Sequence, residues 1–63
     1  MRTLTVQQAY DMAGVYHTDS DMERDIKFDQ FFRHYRYRMA DSVTHEILAE
    51  CRQENLDFLI TKD

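Results

Sequence analysis

Residues 31–39 read FFRHYRYRM, placing three arginines and a histidine among two phenylalanines, two tyrosines and a methionine, in a 63-residue chain of formal charge −4. Two periods compete for this stretch. At about 100° per residue, Phe28, Phe31, Phe32, Tyr35 and Met39 share one helical face. Arg33 and Arg36 then border one side of that seam, and Lys27, His34 and Arg38 the other. With a period of two, Tyr35, Tyr37 and Met39 alternate against His34, Arg36 and Arg38, the pattern of a strand over 34–39. The chain holds no proline, and its only glycine is Gly14. Without strong breakers the helical period is the preferred reading. It predicts a helix over 21–40, with the strand as the alternative.

Outward from this segment the pattern stays helical. Thr5 followed three residues later by Gln8 forms a capping box for a helix over 6–16, whose apolar positions are Val6, Ala9, Tyr10, Ala13 and Tyr16. Gly14 lets it stop. Ser20 and Glu23 form a second box, and Asp21, Glu23 and Asp25 crowd the first turn, where the helix dipole favours negative charge. Asp41 or Ser42 then caps a third helix over 43–60. Val43, Ile47, Leu48, Cys51, Phe58 and Leu59 form its apolar face, opposite Glu46, Glu50, Gln53, Glu54 and Asp57. One unbroken helix over 21–60 is the alternative at that junction.

The predicted fold is therefore all-α: two or three helices in a hairpin, completed by a second copy as a homodimeric four-helix bundle. Its core is Val6, Ala9, Tyr10, Ile26, Phe28, Phe32, Tyr35, Met39, Val43, Ile47, Leu48, Cys51, Phe58 and Leu59. Self-association follows from size. A core this small yields only roughly 3–5 kcal/mol, and small folds add disulfides, metals or a second copy. Cys51 is the only cysteine. No histidine stands at a chelating spacing to it or to another histidine. The start of the chain lacks the basic, apolar pattern of a signal peptide, and no run approaches the roughly 20 apolar residues of a membrane span. The expectation is a soluble protein of the cytoplasm.

Charge is segregated. Met1–Glu23 carries one basic and four acidic residues, Arg24–Arg38 five basic and two acidic, and Met39–Asp63 two basic and six acidic. Nucleic-acid binding needs cations reaching phosphates from one surface, with aromatics free to stack. Here the aromatics lie in the seam and the cations fringe it, which favours packing. Arg33, Arg36, Tyr37 and Arg38 are the candidate contact residues for a protein partner. A nucleic-acid site using Lys27, Arg33, Arg36 and Arg38 is the alternative.

Two motifs fail on inspection. LTVQQAYDMAGVYHTDSDMERDI resembles the first half of a helix-turn-helix, through Leu4, Val6, Ala9, Ala13, Gly14 and Val15. The apolar positions that would pack a recognition helix are Ser20 and Glu23, however, and four acids would face phosphate. An EF-hand loop from Asp19 needs glycine and glutamate where Arg24 and Gln30 stand. No phosphate loop or nucleophile elbow is present, and Cys51 on an apolar face reads as an inert buried thiol. The expectation is a non-enzyme without cofactor.

Over its whole length, and through the run MRTLTVQQAYDMAGVYHTDSDMERDIKFDQFF, the chain resembles the small early proteins of lambdoid phages encoded between the exonuclease and excisionase genes. That resemblance implies a regulator of the choice between lysis and lysogeny, or of host replication and cell cycle, acting by binding host or phage proteins. It carries over no functional residues.

Overall fold

The computed structural model describes residues 1–62 and divides FFRHYRYRM between two elements. The chain runs β1 (Arg2–Thr5), α1 (Val6–Ala13), α2 (Asp21–Phe32), β2 (Tyr37–Ala40), α3 (His45–Gln53) and β3 (Phe58–Thr61). The strands form one parallel sheet in the order β1-β3-β2. In register, Arg2 and Tyr37 flank Phe58, and Leu4 and Met39 flank Ile60.

The all-α expectation is thus wrong, and with it the four-helix bundle. The helix predicted over 21–40 ends at Phe32, that over 6–16 at Ala13, and that over 43–60 occupies only His45–Gln53. The alternative, a strand over 34–39, is right only in its second half: β2 is Tyr37–Ala40, and residues 34–36 form the turn and loop before it. A hydrogen-bonded staple secures the switch: Asp57 and Phe58 donate their backbone N–H groups to the Arg36 carbonyl at 2.7 and 3.1 Å. The Asp57 carboxylate in turn accepts the Arg36 N–H at 2.9 Å. After α3, Asn55 takes a left-handed φ of 55°, a stop that asparagine supplies when glycine is absent.

β3 explains why a sheet wins. Phe58, Leu59, Ile60 and Thr61 are all buried, and a strand covered on both faces reads as an unbroken apolar run rather than an alternation. In a helix these residues would point in all directions and leave much of their surface wet. As the central strand, β3 has β1 and β2 along its edges, α1 and α2 over the face of Phe58 and Ile60, and α3 on the opposite side.

The first predicted capping box forms in full and the second only in its N-cap half. Thr5 Oγ1 accepts the Gln8 N–H at 3.1 Å, and Gln8 Oε1 accepts the Thr5 N–H at 2.9 Å. Ser20 Oγ accepts the Glu23 N–H at 3.2 Å. α3 starts at Thr44, whose hydroxyl accepts the Ile47 N–H at 3.2 Å, instead of at Asp41 or Ser42. α1 closes on Gly14, whose φ of 77° is open to glycine at no steric cost.

The sheet has a thick and a thin side. Leu4, Phe58 and Ile60 pack with Ala9 of α1 and Phe32 of α2, flanked by Val6, Met12, Ala13, Phe28 and Phe31. Leu59 and Thr61 point to the opposite face, where α3 buries Cys51. Of the predicted core, Ala9, Phe32, Cys51, Phe58 and Leu59 are buried, and Val6, Tyr10, Phe28, Ile47 and Leu48 half-buried. Ile26, Tyr35, Met39 and Val43 are exposed instead. Leu4, Ile60 and Thr61 belong to the core and were not expected there.

Candidate functional site

The four predicted contact residues do not make one surface. Arg33 caps the end of α2, and its guanidinium donates to Asp29 at 2.9 Å. Arg36 is exposed in the loop before β2. Tyr37 opens β2 on the side of α1 and α2, where its ring meets Phe28 and Phe32 at 5.6 Å each. Arg38, one residue on, points to the other face and donates to Glu50 of α3 at 2.9 Å. That hydrogen bond, reinforced by the charge of Glu50, raises the Arg38 pKa above its ordinary value.

The cations that suggested a nucleic-acid grip are mostly matched within the fold. Arg24 reaches Asp21 at 2.6 Å and Lys27 reaches Asp19 at 2.6 Å. Lys27 also lies over the Tyr16 ring at 4.7 Å and donates to the Gly14 carbonyl. It clamps the loop between α1 and α2. Asp19 accepts from Lys27 and from the Tyr16 N–H, and both hold its carboxyl below the usual range.

What the fold does assemble is an apolar strip beside an open sheet edge. Tyr35, Tyr37 and Met39 are 43, 39 and 54 % exposed. Next to Met39 lies a groove of about 250 Å³ lined by Tyr10, Asp25, Phe28 and Met39. Hydrogen-bond parity decides which backbone groups are free. The Arg36 and Ala40 carbonyls accept from β3, so Arg36, Arg38 and Ala40 turn their polar groups inward. In a parallel ladder the intervening Tyr37 and Met39 then present N–H and C=O outward, away from β3.

The edge of β1 is different. Arg2 donates to the Asp57 carbonyl, so Thr3 and Thr5 face outward. The Thr5 N–H is already taken by the Gln8 side chain. The capping box that starts α1 thereby closes half of that edge.

Comparison with protein families, with curated proteins and with solved structures finds no match to this chain. Among the described residues no group of three or more histidines, cysteines or acids is placed to hold a metal, and no helix is long and apolar enough to cross a membrane. A second, wider depression of about 550 Å³ is lined by Arg38, Met39, Ala40, Asp41, Ser42, Ile47 and Lys62. Its two cations are already held by Glu50 and Asp41. Tyr35 and Met39 are two of the four surface residues placed in the core by the helical period, with Ile26 and Val43. For Met39 the signal is its period-two alternation with Tyr37 across Arg38 in β2.

Proposed function

We propose that this protein is a non-enzymatic interaction module, a small phage regulator that acts in the bacterial host cytoplasm through a protein partner. The exposed strip of Tyr35, Tyr37 and Met39 along the unpaired edge of β2 carries this reading. Aromatic and methionine side chains are enriched where proteins meet, and a bare strand edge offers main-chain hydrogen bonds to an incoming strand. The influence on lysis, lysogeny or host replication is the biological setting that the lambdoid resemblance suggests for such a module.

The rival is a DNA-binding accessory factor using the basic Arg24–Arg38 segment. Internal ion pairs engage Arg24, Lys27, Arg33 and Arg38, and Arg38 and Tyr37 lie on opposite faces of the sheet. Both observations favour a protein partner.

The two separate in one pair of experiments. A photo-crosslinking residue at position 37 should give a discrete protein adduct in host extract that the same residue at position 3 does not. A gel-shift titration should show no binding at low salt. Binding that falls steeply with salt, and disappears with Arg33→Ala plus Arg36→Ala, overturns the reading in favour of nucleic acid.

A further inference from the structure

Resting on the reading of β2 as a docking edge, we propose that its occupant in the purified protein is the β2 edge of a second copy, added antiparallel about a twofold axis through Arg38. The two edge strands would then join two three-stranded sheets into one of six strands.

The backbone parity supports this arrangement. The outward groups belong to Tyr37 and Met39, two residues apart. In an antiparallel ladder, residues whose N–H and C=O groups both point at the partner strand exchange two hydrogen bonds as a directly opposed pair. A twofold axis at Arg38 places Tyr37 opposite Met39 of the second copy, and Met39 opposite its Tyr37. Every outward group of the strand is then paired, and the contact is isologous.

The side chains match the same axis. Tyr37 and Met39 share a face with α1 and α2, and each is opposed by the other type, an apolar cross-strand pair of the kind that stabilises sheets. The ring of each incoming Tyr37 arrives beside Met39 and its groove, where Phe28 and Tyr10 supply apolar walls and Asp25 an acceptor for the hydroxyl. On the other face Arg38 meets Arg38 of the second copy. Like charges directly opposed repel, but each guanidinium is already held by Glu50 of its own chain at 2.9 Å.

Sheet edges that stay single are blunted by proline, lysine or a bulge. β2 reads Tyr-Arg-Met-Ala; it is short, has no proline, lysine or bulge, and its one charge, Arg38, is paired with Glu50 of its own chain. β1 is blunted by the occupied Thr5 N–H and offers Thr3 and Thr5 in place of Tyr and Met, so the fold leaves one edge open rather than two.

The test is sedimentation equilibrium across the micromolar range. Wild-type protein should sediment at twice its chain mass of 7.7 kDa. Met39→Pro removes one outward N–H and no bond to β3, a position where edge strands tolerate proline; it should sediment at the single-chain mass with its circular dichroism retained. Met39→Lys, or a synthetic chain N-methylated at Met39, gives the same answer if the proline variant does not fold. Thr3→Pro, at the outward residue of β1, should leave the dimer intact. A monomeric wild type overturns the proposal, as does a dimer unchanged by both Met39→Lys and N-methylation. A monomer that still crosslinks through position 37 to another protein leaves the function reading standing. A β2 dimer that binds nucleic acid through Arg33 and Arg36 removes that reading and leaves this one.

Discussion

The two faces of the sheet are built on different terms. On one, two helices close over a continuous group of rings. Phe32 is fully buried and lies within 4.6–6.4 Å, centroid to centroid, of Phe28, Phe31, Tyr35, Tyr37 and Phe58. On the other, a single short helix covers Leu59 and Thr61 with Cys51, and an ion pair from Arg38 to Glu50 ties the helix to the strand. A chain this small cannot build two full cores. It gathers its aromatic side chains on one side and holds the other with Leu59, Cys51 and an exposed charge pair.

The sharpest way to break this contrast is Phe32→Ala. Truncating a buried phenylalanine costs about 3–5 kcal/mol, as much as a core of this size supplies. The variant should lack a cooperative thermal transition by circular dichroism. Leu59→Ala probes the thin face; truncating this fully buried leucine should cost about 2–5 kcal/mol, less than the larger ring of Phe32. A urea titration in which Leu59→Ala proves more damaging than Phe32→Ala would invert the picture.

A smaller effect comes from Asp19, which anchors the loop on the thick side. Its folded-state pKa is lowered, so its stabilising contribution is complete above the ordinary carboxylate range, about pH 4. That contribution is lost as pH falls through the lower, folded value. Asp19→Asn should lower the melting temperature at neutral pH, and the gap to wild type should close at low pH. A gap that stays constant with pH would detach the clamp from the carboxylate. The smallest effect belongs to the thin face: Arg38→Glu, which sets like charges at Glu50, should lower the melting temperature slightly. Arg36→Glu, on an exposed loop, should change it less. Equal losses from the two would show that the Arg38–Glu50 pair does not hold α3.

Where side chains and backbone hydrogen-bond locally, the fold was legible in the sequence. Thr5 with Gln8, Ser20 ahead of Glu23, and Gly14 mark the start and stop of α1 and the start of α2, because each acts within one turn of chain. The strands were not legible for a physical reason. Four residues such as Phe-Leu-Ile-Thr have the same apolar content in a buried helix as in a buried strand, and only distant neighbours decide between them. Asn55 is a helix stop that uses neither glycine nor proline, and its left-handed backbone shows only in the fold. The site shared this fate. Tyr37 is among the candidate contact residues, but the exposed residue that shares its sheet face is Met39, set by the strand period of β2. Arg33, Arg36 and Arg38 are dispersed by the same switch from helix to sheet.

The order β1-β3-β2 also governs when folding can occur. The two outer strands never touch, and the strand that joins them is the last of the three to be synthesised. Until residue 61 has left the ribosome, Leu4 and Met39 have no Ile60 between them, and the aromatic cluster lacks Phe58. α1 and α2 can form early on their own capping signals, but the sheet must close a loop of more than fifty residues in one late, entropically costly event. The contact of Tyr10 with Phe28 between α1 and α2 depends only on earlier chain, whereas the sheet and the packing of Phe32 on Phe58 wait on the strand made last of the three.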